Sequence, residues 1–359
     1  MMVLSPGSIA TGVLRRSGVT PPLAKFPVPD DAALDRWQRA RHGGWVTADH
    51  RGVIVPVSDA DMRSAYPAAW SVTGCWDVLR AAELREANVL HELDALCRRV
   101  AGGDLAPLFI GKTYTDFSLS VAEALGCGEP FAVELPGDDH RDPRLVVAPL
   151  WSSTPIPFPS SDIVLAALLS QRVPRLVSAT RLEALGVEAQ APFPLYDGVV
   201  VRPGEDPIVA GVRLREAARD AGNERLRVQL RVVNNALSWG VYARLDQQPV
   251  RGGGRGRRGR LIERATEWSW PPIAATVPAV VRLWLGLLDY LVSEAGSTII
   301  ARDTDGAAIF ASPDGGEKLK LPDGRVVRAL AHAEIDSILA RFDALDPFGD
   351  GRPFWSVVR

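Results

Sequence analysis

Residues 298–310 read TIIARDTDGAAIF. Apolar and small residues flank Asp303-Thr304-Asp305-Gly306, and the Asp-Gly step is a turn signal, so the stretch predicts strand, turn and strand. Asp303 and Asp305 lie two apart, the spacing that sends side chains to one side of an extended chain. Just upstream, Pro278 to Glu294 is apolar almost throughout and predicts a buried helix. Downstream, DGRVVRAL is strand-like, Ala331 to Leu345 predicts a last helix, and a Pro/Gly-rich tail spans 346–359.

Further out, GVIVPV (52–57) predicts a strand that hands over to Ser58-Asp59-Ala60-Asp61 and a short turn ending at Pro67. A carboxylate pair therefore stands at a strand end. WDVLRAAELREANVLHELDALCRRV (76–100) has apolar positions at helical spacing and predicts one or two helices. Between 101 and 206 short strand-like runs alternate with turns and fix no topology. Asp206-Pro207 is a cap followed by a first-turn proline, and two helices over 207–246 meet near Gly222. Arg215 and Arg219 share a face of the first, Arg227 and Arg231 a face of the second. RGGGRGRRGR (251–260) has no apolar residue and predicts a loop, bounded at 247–264. Residues 1–50 form a leading segment with one helix near Asp31 to Arg41.

A chain of 359 residues with 47% hydrophobic and 23% charged residues can bury a core and is neither disordered nor membrane-like in composition. A net charge of −2 excludes a protein basic all over, but a local positive surface suffices for an anionic partner because charges are screened within about 10 Å. Cys75, Cys97 and Cys127 are far apart and odd in number, fitting neither a zinc site nor a disulfide framework, so a reducing cytoplasm is expected. The run from Val277 to Val292 is broken by Arg282 and Asp289, and no membrane anchor is expected. The five histidines show no ligand spacing.

Holding two divalent cations about 3.5–4 Å apart takes hard oxygen ligands on rigid backbone, and strand ends and tight hairpins provide that rigidity. Asp61, Asp303 and Asp305 meet this description if the fold brings them together. The same D-x-D also describes an ordinary hairpin turn, and the arginine stripes an ordinary solvated helix face.

The order of three stretches narrows the choice. SDADMRSAYP, RVVNNALSWG and TIIARDTDGAAIF resemble motifs A, B and C of family B DNA polymerases. Asp61, Ser64, Tyr66 and Pro67 match D-x-x-S-L-Y-P. Arg231, Asn235 and, after a one-residue slip, Trp239-Gly240 match K-x-x-x-N-S-x-Y-G, and Asp303-Thr304-Asp305 matches the centre of Y-x-D-T-D-S. ARHGGWVTA (40–48) is similar to the family's Y-x-G-G stretch, and EWSWPPIAATVPAVVRLWL (267–285) to the segment before motif C.

The resemblance implies an α+β fold: a polymerase palm with a mostly antiparallel sheet packed on helices, and a helical-hairpin fingers subdomain over 207–246. The palm would comprise 51–80 and 265–345, with 81–206 as an insertion. It implies that Asp61 and Asp305 ligate two Mg2+ ions, for which Mn2+ can substitute, with Asp303 assisting and the Met62 carbonyl completing a shell. Backbone N–H groups at Ser64 and Ala65, with Arg215, Arg219, Arg231 and Asn235, would hold a deoxynucleoside triphosphate, and Tyr66 would exclude a 2′-hydroxyl. The implied reaction is DNA synthesis on a primer-template. Apart from the resemblance, the composition of the 251–260 loop suits Arg255, Arg257, Arg258 and Arg260 to nonspecific contact with nucleic-acid phosphates, the alternative being a disordered insertion.

Motif C has Ala301 and Gly306 at its edges, and motif B has Arg231, Ala236 and Trp239 for Lys, Ser and Tyr. The family's exonuclease and thumb are not recognisable, so a separate protein supplying either is an expected partner. Two alternatives are a catalytically degenerate palm that binds nucleic acid or serves assembly, and a primase-like nucleotidyl transferase.

Overall fold

The computed structural model describes residues 5–26, 31–50, 55–135, 144–196, 198–249 and 261–358. Its central sheet is antiparallel, in the order Trp45–Ala48, Ile299–Thr304, Gly306–Ser312, Val57–Met62, Trp355–Val358; Leu330–Ala331 adds in parallel beside Gly306–Ser312. With helices packed against it, the architecture is α+β, as the sequence predicts. Two strands come from segments read otherwise. Trp45–Ala48 lies in the leading segment, and Trp355–Val358 lies in the tail, where WSVV pairs with the Asp61 strand.

The first carboxylate strand runs over Val57–Met62, later than expected, and residues 51–54 of the expected strand lie outside the described residues. Ser58, Ala60 and Met62 are buried while Asp59 and Asp61 are exposed, so the polar SDADM is a half-buried strand rather than a turn. In place of the turn ending at Pro67, Ser64 takes a left-handed conformation (φ 53°) and the helix Ala65–Val72 begins. Pro67 sits in its first turn, where no N–H is needed.

Residues 76–100 are not continuous helix. A short helix, Cys75–Leu79, precedes the strand Ala81–Asn88, and only Leu90–Ala101 is a full helix. Ala81–Asn88 carries helix formers, but its backbone pairs with Arg175–Val187, and that long-range ladder overrides local propensity. This pair, with Ser120–Leu125 and Ile156–Pro159, makes a second, four-stranded antiparallel sheet. Leu245–Pro249 and Leu261–Ala265 pair as a hairpin, so both ends of the expected 247–264 loop are strand. The last helix is His332–Ala340, and 3-10 turns over Arg341–Leu345 follow it.

The core is organised by the helix Pro271–Glu294, which starts on two prolines well before the expected Pro278. By length and composition it could cross a bilayer, yet 89% of its most apolar window is buried inside the protein. Gly286 lets it approach the helix Ser160–Ser170, because a Cβ there would run into Leu165. At this contact the Arg282 guanidinium and the Asp162 carboxylate are both fully buried and paired at 2.6 Å. Charges so placed persist only with a partner, and removing one costs about 3–5 kcal/mol.

Candidate functional site

Three neighbouring strands and the turn between two of them place the carboxylates. Gly306 stands opposite Asp61 across one ladder and opposite Asp303 across the next. Between Asp303 and Gly306 the chain reverses in a γ-turn centred on Thr304 (φ 57°), with the Asp305 N–H donating to the Asp303 carbonyl at 2.5 Å. The Met62 N–H donates to the Asp305 carbonyl at 2.9 Å, which ties the turn to the Asp61 strand. Asp303 thus stands at the end of one strand and Asp305 in the turn to the next, as the strand, turn and strand reading expects. Asp61 and Asp305 line one cavity of about 430 Å³, while Asp303 is exposed outside its lining.

The three carboxyls act on one another electrostatically. Burial pushes the Asp305 carboxyl up to about 6, and the Asp61 charge pushes the same way, with Asp303 adding to it. Asp61 is also raised, first by burial, against the lowering effect of Arg231 and Arg215. Two carboxylates held side by side in partial burial repel one another, and a divalent cation would relieve that repulsion. Among the described residues, no group of three or more Asp, Glu, His or Cys side chains is gathered closely enough to hold a metal ion. The donor set that fits a cation is the Asp61–Asp305 pair.

Facing the carboxylates is a wall of arginine. The helices Pro207–Asp220 and Glu224–Asn235 meet at Gly222 as expected, and Arg215, Arg219, Arg227, Arg231 and Asn235 line the cavity. Most of these guanidiniums already have partners. The buried Glu216 carboxylate accepts from Arg215 at 2.5 Å and Arg352 at 2.6 Å and pairs with Arg219 at 3.0 Å, while Arg227 pairs with Glu224. Arg231 is exposed and is the guanidinium whose charge lowers both Asp61 and Asp305. Ser64 and Ala65, just after the Asp61 strand, line the cavity as well. Ala65 opens a helix, so the first N–H groups there have no partner within the helix, and the Ser64 hydroxyl is buried with none among the described residues.

The slip of one residue in the second motif has a structural counterpart. Ala236–Gly240 is a π-helical turn, whose hydrogen bonds span one residue more than those of the α-helix before it. Within this turn the Trp239 ring stacks on Tyr66, with centroids 5.5 Å apart and planes 10° apart. The indole N–H of Trp239 donates to the Ala274 carbonyl at 3.0 Å. That carbonyl is free because Pro278, four residues on, has no N–H to give it. Tyr66 does not line the cavity, and burial pushes its hydroxyl up to about 12.

Sequence reasoning missed three site residues. Arg63 ion-pairs with Asp346 and Asp350, both at 2.7 Å, with its guanidinium 5.1 Å from the Phe348 ring centre, and so ties the first motif to the tail. Arg352 comes from that tail, and Glu216 lies between the two arginines singled out on its helix. Arg63 stood inside a quoted motif and Glu216 inside the arginine stripe; Arg352 carried no signal. Arg255, Arg257, Arg258 and Arg260 lie outside the described residues.

No protein-family model and no curated protein matches the chain. Among solved structures it is similar to phi29 DNA polymerase complexed with primer-template DNA and incoming nucleotide, at 14% identity and a TM-score of 0.48 over 87% of this chain and 50% of that one. An orthorhombic crystal form of the same polymerase aligns at 13% identity and a TM-score of 0.45, over 89% of this chain and 49% of that one. The chain thus spans about half the length of the polymerase chains it resembles.

Proposed function

We propose that the chain carries the catalytic palm and fingers of a family B-like DNA polymerase, joining a deoxynucleoside triphosphate to a primer 3′-hydroxyl on a DNA template. The observation that carries this reading is that Asp61 and Asp305 line one cavity together with the arginines of two helices and the N-terminus of a third. Carboxylates in partial burial suit divalent cations, and clustered guanidiniums with free backbone N–H groups suit a polyphosphate. Few reactions ask for both within one cavity; phosphoryl transfer does.

Asp61 and Asp305 would hold Mg2+ or Mn2+, which would supply charge neutralisation for the attacking and leaving oxygens. Asp303, on the exposed side of the turn, contributes through its field. Arg231, exposed and acting by its charge on Asp61 and Asp305, is disposed to take phosphate oxygens beside them, and Arg215, Arg219 and Asn235 add to the same wall. The Ser64 and Ala65 N–H groups are disposed to donate to oxygens of the same anion. Tyr66, made rigid by its stack on Trp239, is proposed to limit the sugar to the deoxy form. A primer-template, and a protein supplying thumb or exonuclease, are the partners this reading calls for.

Primer extension with Mg2+ or Mn2+ tests it, using the wild type and Asp305→Asn at matched folding. Incorporation by the wild type and its loss by roughly a thousandfold in the variant is the expected result. DNA binding without incorporation by either protein would favour a degenerate palm that binds nucleic acid.

A further inference from the structure

The carboxylate turn rests on a feature far from it in sequence. Thr304, a β-branched residue at φ 57°, adopts a backbone conformation such residues rarely take, so its surroundings must hold it there. Beneath it lies Gly44. A Cβ on Gly44 would stand 2.6 Å from Thr304 Cγ2 and 2.9 Å from its hydroxyl oxygen, distances no real side chain tolerates. Gly44 has no positive φ, so what requires glycine here is the space for Thr304 and not the backbone.

The position of Gly44 is itself fixed. Arg282, fully buried on the core helix and held by Asp162, donates to the carbonyls of His42 and Gly43, the two residues before it. On the other side, Trp45 and Val46 pair with Thr304 and Asp303 across the ladder. Arg302 locks the same two strands by lying over the Trp45 ring at 4.2 Å and pairing with Asp49 and Asp289.

We propose that Gly44, clamped through its two preceding carbonyls by Arg282, is a positioning residue for the carboxylate turn: it seats Thr304, and that seat aims Asp305 into the cavity. The catalytic meaning of this seat rests on the polymerase reading; the seat itself does not.

The test compares the wild type, Gly44→Ala, Thr304→Gly and the Gly44→Ala/Thr304→Gly pair by amide hydrogen exchange and by primer extension. Gly44→Ala should speed exchange of the Asp305 and Met62 amides by about tenfold or more, because the turn that shelters them opens more often. It should lower kcat by about a hundredfold, as a displacement near 1 Å at a reacting group does. KM for the nucleotide should stay unchanged, since Gly44 does not line the cavity. In the pair, glycine at 304 removes the clashing atoms and is at ease at positive φ, so both readouts should return toward wild type. Unaltered exchange in Gly44→Ala, or a pair no better than Gly44→Ala alone, would overturn the proposal. If Gly44→Ala does not fold, recovery of folding in the pair supports the seat and failure of the pair contradicts it. Exchange needs no catalysis, so a wild type that incorporates nothing would defeat the polymerase reading while these variants still decide the role of Gly44.

Discussion

The two walls of the cavity are built differently. Asp61 and Asp305 are set by backbone: a strand paired on both edges and a γ-turn bonded to it through Met62. Across from them the guanidiniums sit on long side chains of two helices, and their places are set by ion pairs, chiefly to Glu216. Ladder hydrogen bonds fix a group without regard to what binds, whereas an ion pair can be exchanged for a better anion. The contrast teaches that geometry is stored on the carboxylate side and adaptability on the arginine side, a division that suits a site where metal-held atoms stay and phosphates come and go.

The largest expected effect tests the ion-paired wall. Glu216→Gln removes the charge that three guanidiniums share in burial, and should cost about 3 kcal/mol, at the low end for such pairs because Arg219 is 51% exposed. Urea denaturation measures it, and a loss below a few tenths would mean that the arginines are held by something else.

A smaller effect, of opposite sign, belongs to the backbone-set wall. Asp305 is raised from an ordinary 3.8 to about 6, so the folded state holds its proton more tightly than the unfolded chain. Stability from this group is therefore present below pH 4 and is lost as pH rises through 6. Asp305→Asn should then be more stable than wild type at pH 7.5 by about 1–2 kcal/mol, after discounting for partial exposure, and the advantage should vanish near pH 4. A pH-independent difference between the two proteins would show that the carboxylate is not strained by its neighbours.

How far this contrast was legible in the sequence follows from what fixes each part. The hairpin at 298–310 is a local structure with its own turn signal, and the helices over 207–246 carry their own cap and proline, so both could be read. Ala81–Asn88 could not, because its partner strand lies about a hundred residues on and its own composition favours helix. Ser160–Ser170 is apolar on all sides and buried, so it shows no amphipathic period to read. At the site, the carboxylates followed from motif order. Glu216 and Arg352 did not, since an ion pair between a helix and a distant tail leaves no spacing pattern. The turn is legible, but the two-apart spacing predicts Asp303 and Asp305 on one side, whereas Thr304 between them has φ 57° and Asp303 stands outside the cavity lining.

Arg231→Ala sharpens the comparison at an exposed arginine of the wall whose charge acts on both carboxylates. It should raise KM for the nucleotide about tenfold with kcat nearly unchanged, the loss of one charge-assisted contact. An equal fall in kcat would assign Arg231 to the carboxylate side instead. The smallest effect is Trp239→Phe, which keeps a ring on Tyr66 but leaves the Ala274 carbonyl without a donor. It should cost about 1 kcal/mol of stability in thermal unfolding. If Pro278→Ala, which restores an N–H within helical reach of Ala274, abolishes that cost in the double variant, the proline and the indole share one carbonyl.

The most direct measurement is Mn2+ binding by the isolated chain, followed by electron paramagnetic resonance at pH 7.5, in wild type, Asp61→Asn and Asp305→Asn. The paired-carboxylate account predicts binding by the wild type that weakens at least about tenfold in either variant, the loss of one charged ligand. Equal Mn2+ binding by all three proteins, or none by the wild type in the presence of primer-template and nucleotide, would contradict it.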